Sequence, residues 1–245
     1  MFQQSCQTIR ETVYGVKGTT PLGNNRANSS TGTGFMIAPG VLATAAHVIH
    51  FKCDFNEAVH STFEVIRAPD VGQKTEKTQL IAEDTAKDIA LLRIANPRST
   101  QSVVLEPNIL NIGTSCGSMG FPLSFVGGKG FILDLRFQGA FISSFNIVSK
   151  FYETDSLMYQ GSSGCPGFTT NGNVFGMHNR SVTSKQSPIQ PIPQSRAQRR
   201  QQMKQQKKAG LPELKQKKQT DRYAISLWIP STQILTFARA NGINI

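Results

Sequence analysis

Short apolar runs separated by turn residues dominate this chain and limit most strongly what it can fold into. Runs of strand length occur at 34–37, 41–44, 89–94 and 174–177, and glycine, proline, asparagine and aspartate lie between them. Alternation of short strands with turn residues is typical of a sandwich or barrel, and not of βαβ units. The pattern therefore predicts an all-β fold.

Two further segments refine this prediction. In 131–145, Phe131, Leu133, Leu135 and Phe137 alternate with Ile132, Asp134 and Arg136, which predicts another strand or a pair of strands. A short helix is expected at Ser231–Ala240, with Ser231 as its N-cap after Pro230 and Asn241-Gly242 as its stop.

The ends and the cysteines suggest a cellular compartment. The N-terminus shows no basic stretch followed by an apolar run, so no secretory signal is expected. The most apolar window, 35–51, is too short and too interrupted to span a bilayer. The four cysteines lie far apart without C-x-x-C spacing: Cys6, Cys53, Cys116 and Cys165. We therefore expect an intracellular, cytoplasmic protein with reduced thiols and no disulfide framework, or a nuclear one in a eukaryote.

The positive charge is concentrated in one segment. The 245 residues carry 26 Lys or Arg and 15 Asp or Glu, a net charge of +11, and residues 194–220 supply nine of the basic residues with a single acid. Few apolar residues occur there, so the stretch, about 184–220, is predicted to be an insertion loop that cannot fold alone. It is a solvated loop, a docking site for nucleic acid or an acidic partner, or an activation or targeting element.

Three positions carry residues suited to nucleophilic catalysis. His47 ends the apolar run Val41–Ala46, Asp88 directly precedes the run 89–94, and Ser163 lies in the glycine-rich turn 161–166. A serine hydroxyl is inert near neutral pH unless an imidazole accepts its proton, and the imidazole needs an acid that fixes its tautomer. Singly, each residue is readily explained as a structural histidine, a turn cap or a flexible turn. Their occurrence together, in this order, favours a catalytic set.

These motifs resemble those of a known family. Gly32-Thr33-Gly34-Phe35 resembles the strand ahead of a catalytic histidine, and Thr44-Ala45-Ala46-His47-Val48 resembles the segment around it. Asp88-Ile89-Ala90-Leu91-Leu92 resembles the strand after the catalytic acid, 161–166 resembles G-N/D-S-G-G-P, and 120–123 resembles the turn opening a second barrel. The chain is therefore similar to chymotrypsin-like (trypsin-fold) serine proteases, of the HtrA-like and glutamyl-endopeptidase-like type without disulfides.

The resemblance implies two antiparallel β-barrels with the active site between them. One peptidase domain is expected over 1–245, with the first barrel at about 8–100, the second at about 110–245 and the insertion at about 184–220. Ser163 takes the place of the nucleophile, His47 that of the general base and Asp88 that of the acid, while the amides of Gly161 and Ser163 take the oxyanion hole.

Two departures from the family pattern and one rival acid leave alternatives. Cys165 replaces a glycine of the turn and is a second, weaker candidate nucleophile, and Ser162 replaces the usual Asn or Asp. Asp84 is the one rival to Asp88, but Asp88 adjoins the apolar strand directly and Asp84 suits a turn cap. Asp88 is therefore preferred.

Specificity is assigned to residues around the nucleophile. His178 stands where glutamyl endopeptidases and picornaviral main proteases carry a histidine that meets a Glu or Gln side chain, and Met158 favours a more apolar pocket. The alternative is that His178 only packs beside Met177.

The predicted function is a serine endopeptidase acting on polypeptides through an acyl-enzyme. No cofactor and no metal are expected, because His50 and His60 have no ligand-spaced partners. The competing hypothesis is a protease fold without turnover that binds nucleic acid or an acidic partner through the basic loop. A viral polyprotein-processing protease is a further possibility.

Overall fold

The computed structural model describes residues 2–24, 26–53, 56–70, 75–122, 125–127, 130–132, 134–185 and 222–245. The predicted basic insertion lies outside the described residues from 186 onward, so its predicted roles stay predictions. Within the described ranges, no helix is both long enough and apolar enough to cross a membrane.

Six antiparallel strands close the first barrel in the order β1-β2-β3-β8-β7-β6. These strands are β1 (Val13–Gly23), β2 (Arg26–Ala38), β3 (Val41–Thr44), β6 (Thr62–Arg67), β7 (Glu76–Asp84) and β8 (Ile89–Ile94). The apolar runs predicted from the sequence at 34–37, 41–44 and 89–94 all lie in them, and β8 buries every residue except Arg93. A run so fully buried needs neighbours on both sides, which closure of the sheet supplies.

Six further strands close the second barrel in the order β12-β13-β16-β15-β14-β9. These strands are β9 (Ser115–Gly120), β12 (Arg136–Asn146), β13 (Phe151–Thr154), β14 (Pro166–Thr169), β15 (Val174–Lys185) and β16 (Arg222–Pro230). Its interior holds an aromatic row in which the Phe175 ring lies 5.4 Å from that of Tyr152 and 5.6 Å from that of Trp228. The all-β prediction of two chymotrypsin-type barrels is confirmed.

Two small hairpins complete the sheets: β4 (His50–Cys53) with β5 (Asn56–Val59), and β10 (Phe125–Gly127) with β11 (Gly130–Ile132). The strand pair predicted over 131–145 corresponds to β11 and β12. The first strand of the second barrel, β9, begins at Ser115 and ends at Gly120. The turn after Gly120 therefore follows that strand instead of opening the barrel.

Three α-helices lie in the described ranges: α1 (Gln3–Arg10), α2 (Ala46–Ile49) and α3 (Ser231–Ala240). The C-terminal helix was predicted with the correct bounds, but its N-cap is Pro230 and not Ser231. Ser231 is already helical, and its hydroxyl donates to the carbonyl of Glu106 instead of capping. Helices α1 and α2 were not predicted, since neither is long enough to show a clear helical period.

The chain divides into two compact units. One comprises Met1–Val182 with Ile225–Ile245, and the other comprises Thr183–Ala224. The first unit contains His47, Asp88 and Ser163, so the candidate site lies within a single unit.

Thr33 joins the two barrels at the turn that carries Ser163. This fully buried residue of β2 donates its amide N–H to the Ser163 carbonyl, with an N–O distance of 2.8 Å. Its hydroxyl donates to the Gly161 carbonyl at 2.8 Å and accepts the amide N–H of Phe121 at 3.1 Å. Three hydrogen bonds, one from the Thr33 amide and two at its hydroxyl, thus fix a turn of the second barrel against a strand of the first.

Gly164 makes this close approach possible. Its φ of +83° lies in the left-handed region, and a Cβ at this position would lie 2.1 Å from the Thr33 carbonyl oxygen. A side chain would therefore both strain the backbone and push Thr33 away. The turn needs glycine here for contact as well as for conformation.

Replacing Thr33 by valine is expected to destabilise the protein. The shape is kept, but the Gly161 carbonyl and the Phe121 amide lose their buried partner. We expect the free energy of unfolding to fall by about 1–3 kcal/mol, measured by urea denaturation. Thr33→Ser, which keeps the hydroxyl, serves as the control. Equal stability of the valine and serine variants would contradict the importance of these bonds.

Candidate active site

A cavity of about 700 Å³ is lined by residues of both barrels. His47 and Asp88 come from the first barrel, and Ser163, Met158 and His178 come from the second. The three residues predicted for catalysis and the two predicted for substrate binding therefore border one cavity. Gly161, predicted for the oxyanion hole, is buried in the turn two residues before Ser163.

Asp88 holds His47 at two points. The backbone N–H of His47 donates to Oδ1 of Asp88, and Nδ1 of its ring lies 2.8 Å from Oδ2. Because an ionised carboxylate only accepts hydrogen bonds, Nδ1 carries the proton and Nε2 is left as an acceptor. The His47 side chain is 49% exposed and that of Asp88 only 17%. The arrangement presents a basic ring nitrogen to the cavity.

The backbone conformation at Asp88 positions its carboxylate for the contact with His47. Asp88 has a φ of +59°, a left-handed conformation that aspartate tolerates better than most residues. Its carbonyl accepts the Ala46 amide, so backbone and carboxylate together bind the first residues of α2. The short helix that carries His47 is thus tied to the start of β8.

Asp84 has different partners. Its carboxylate accepts the Lys87 amide at 2.9 Å and the Lys87 ammonium at 2.7 Å. The hydrogen bond and charge of Lys87 hold the pKa of Asp84 below its usual range. Asp84 therefore serves the turn before β8, whereas the contact with His47 is made by Asp88.

Asn179 is a further contact of Asp88 that sequence reasoning did not assign. Its side-chain N–H donates to Oδ2 of Asp88 at 2.5 Å, and Asn179 is buried. The same carboxylate oxygen thus receives His47 and Asn179. The only signal in the sequence is a polar residue directly after His178, just beyond the apolar run 174–177.

Backbone hydrogen bonds hold the turn that carries Ser163, one within the turn region and one to β15. The amide of Ser162 donates to the Tyr159 carbonyl at 3.0 Å, and the Gly164 amide donates to the His178 carbonyl at 2.9 Å. Among the described residues, the amides of Gly161 and Ser163 donate to no carbonyl. Two N–H groups two residues apart are thus available for an external acceptor. No hydrogen bond between the Ser163 hydroxyl and His47 occurs in the described ranges, and such bonds are often long without substrate.

Cys165 is a poor nucleophile in this setting. Its side chain is fully buried, and this burial raises the pKa of its thiol far above the usual range. Its Cβ packs against Gly120, where an added side-chain atom would lie 2.8 Å away. Because the thiolate is the reactive form, a thiol this deep in the barrel wall is chemically inert.

His178 is buried but borders the cavity. Only 3% of it is exposed, its ring lies edge-on to Trp228 at 5.2 Å, and its Nε2 is 3.5 Å from the Ser181 hydroxyl. Burial, with a smaller contribution from the charge of His47, lowers the pKa of His178 to about 4. Its Nδ1 has no hydrogen-bond partner among the described residues. The imidazole is therefore neutral at pH 7.

Met158 and Ser181 are hydrogen-bonded to each other in the part of the cavity lining that holds His178. The Ser181 hydroxyl accepts the Met158 amide at 3.3 Å and donates to the Met158 carbonyl at 3.1 Å. It also lies 3.1 Å from the Ser226 hydroxyl, which donates to the Ser156 carbonyl. An apolar thioether and a small polar network therefore lie beside the neutral imidazole.

Comparison with known proteins agrees with this architecture. The family model described as "Trypsin-like peptidase domain" matches residues 32–177. A "Probable periplasmic serine endoprotease DegP-like" of Rickettsia conorii is 28% identical over 151 residues, which cover 60% of this chain and 28% of that protein. The chain spans less than a third of the length of the curated relatives it matches.

Two solved structures share the fold. The serine endoprotease from Yersinia pestis has a TM-score of 0.63 at 17% identity, covering 98% of this chain and 66% of that one. The active form of the Rv3671c protease from M. tuberculosis has a TM-score of 0.64 at 16% identity, covering 98% and 85%. With the family match extending over more than half of the chain, this protein belongs to the trypsin-like peptidase domain family.

Proposed function

We propose that this protein is a serine endopeptidase that cleaves peptide bonds through His47, Asp88 and Ser163. The observation that carries the proposal is the pair of hydrogen bonds from His47 to Asp88, which leaves Nε2 of an exposed imidazole as an acceptor in the cavity that Ser163 lines. Family membership supports the same reaction class.

The proposed reaction has two stages. Ser163 Oγ forms a bond to the peptide carbonyl carbon while Nε2 of His47 accepts the hydroxyl proton. The carbonyl oxygen becomes an oxyanion that the amides of Gly161 and Ser163 stabilise. Collapse breaks the C–N bond, and His47 returns the proton to the leaving amine. Water then attacks the acyl-enzyme with His47 again as the base, which restores Ser163.

Asp88 acts through His47 in this scheme. Its carboxylate keeps the proton of the neutral imidazole on Nδ1 and stabilises the imidazolium formed after proton transfer. The donors from the His47 backbone and from Asn179 bind the same carboxylate, so its orientation is also held without the ring.

We propose that His178 and Met158 border the pocket for the substrate residue that supplies the carbonyl. Burial keeps the imidazole of His178 neutral, so it offers one N–H donor and no charge. Such a group suits the side-chain oxygen of glutamine better than a carboxylate, while the thioether of Met158 suits the methylenes.

A polypeptide is the substrate class that this reaction needs. Binding of nucleic acid or of an acidic partner by residues 194–220 stays a prediction, because that segment lies outside the described residues. The intracellular location also stays a prediction, and it gains no support from the relatives, whose names describe them as periplasmic.

Replacing Ser163 by alanine is expected to lower kcat/KM on peptide substrates by at least about 10⁴-fold. It should also abolish covalent labelling by a fluorophosphonate, because the attacking oxygen is gone. Ser149→Ala, which removes an exposed serine from a turn of the second barrel, is the matched control and should label normally. Labelling that survives in Ser163→Ala but is lost in Cys165→Ala would reverse the assignment. A wild-type protein that neither labels nor cleaves would favour the binding-module alternative.

Replacing His178 by phenylalanine is expected to remove a preference for glutamine before the scissile bond. The ring shape beside Trp228 is kept, but the N–H donor is lost. One neutral hydrogen bond corresponds to roughly two- to tenfold in kcat/KM between glutamine and leucine substrates. Met158→Leu keeps an apolar side chain and should keep the preference. A peptide library in which wild type shows no preference for glutamine or glutamate would remove His178 from this role.

The same histidine makes stability depend on pH. The pKa of His178 is about 4 in the folded protein and 6.5 ordinarily, so between these values only the unfolded chain binds the proton. The free energy of unfolding is therefore expected to fall as the pH drops from 6.5 toward 4, by on the order of 3 kcal/mol, and to be unaffected above 6.5. Denaturation of wild type and His178→Phe at a series of pH values measures the difference. Curves that stay parallel over this range would be inconsistent with a neutral buried imidazole.

A further inference from the structure

The cavity wall carries a cation that the proposed reaction does not use. Arg180 of β15 is exposed, lines the same cavity as His47, Asp88 and Ser163, and makes no ion pair among the described residues. Among the described residues, its guanidinium is therefore available to a group that enters the cavity.

The other charges of the cavity do not neutralise it. Lys87, also in the lining, is paired with Asp84 through a contact of 2.7 Å. Asp88 is the one carboxylate of the described lining, and it already accepts two hydrogen bonds from His47 and one from Asn179. Counting only the described residues, the cavity lining is therefore locally positive at Arg180.

The exposed cation at this place favours an anionic group in the bound substrate. A substrate carboxylate next to Arg180 would pair with the guanidinium. The arrangement thus favours acidic substrates by direct pairing.

The course of β15 indicates where such a carboxylate would lie. Pairing of β15 with β14 begins at Met177 opposite Pro166, and residues 178–181 extend past that end and line the cavity. Arg180 is two residues beyond His178, about 7 Å along an extended strand. An extended peptide with one side chain at His178 therefore brings a residue one to three positions away to Arg180.

Resting on the proposed function, we infer that Arg180 is a specificity-determining residue that selects an Asp or Glu side chain of the substrate within three residues of the scissile bond. The guanidinium offers a planar pair of donors that matches a carboxylate. Because Arg180 is exposed, the pairing is screened by solvent and by salt.

The test uses fluorogenic peptides with glutamine fixed before the scissile bond and Glu, Gln or Lys placed in turn at each neighbouring position. The wild-type chain is expected to prefer Glu over Gln at one position by roughly two- to fivefold in kcat/KM, less at high salt. Arg180→Gln should remove this preference, and Arg180→Glu should turn it toward Lys. Arg93→Gln removes an exposed arginine of β8 outside the cavity and should leave it unchanged.

Fluorophosphonate labelling of each variant separates this inference from the proposed function. If wild type labels and cleaves but Arg180→Glu keeps the same preferences, the role of Arg180 is wrong while the peptidase assignment holds. An equal change in Arg93→Gln would also overturn it, because the effect would then follow net charge. If wild type does not label, the proposed function itself fails.

Discussion

The contact between Thr33 and the turn of Ser163 is the constraint on which the candidate site depends. The two barrels supply the two halves of the site, and proton transfer needs these halves in a fixed relation. Thr33 provides this through its amide and hydroxyl, and Gly164 allows the backbones to meet. Both residues are buried, so water does not compete for these bonds.

The polar groups of the site are arranged around one carboxylate. Asp88 binds the backbone of α2, the His47 ring and the Asn179 amide, while its own carbonyl binds Ala46. Hydrogen bonds to a charged acceptor are stronger than those between neutral groups, and several on one acceptor hold it in a single orientation. The histidine is thereby oriented by an acid that is itself held from three directions.

Burial gives two basic residues of the cavity, His178 and Arg180, different charge states. His178 is enclosed against Trp228 and stays uncharged, which makes it a directional donor. Arg180, two residues further along the same strand, is exposed and keeps its charge. His178 and Arg180 thus offer a substrate two different interactions from one strand. The first depends on hydrogen-bond geometry, and the second depends on charge and ionic strength.

The features that could be predicted from the sequence are those whose patterns lie in adjacent residues. The short apolar runs and the glycine-bracketed turn predicted an all-β fold and pointed to His47, Asp88 and Ser163, because strand length and turn chemistry are written in adjacent residues. The short helices α1 and α2 and the N-cap at Pro230 were missed because they have weak local patterns.

Only the tertiary structure decided which acid His47 contacts, and it alone revealed the positions of Thr33, Asn179 and Arg180. Asp84 and Asp88 carry the same side chain. His47 contacts Asp88 because the left-handed backbone at Asp88 turns its carboxylate toward α2. The contact of Asn179 with Asp88 joins residues 91 positions apart, and that of Thr33 with Gly161 joins residues 128 apart. Such contacts depend on the path of the whole chain through two closed barrels, and no window of sequence contains them.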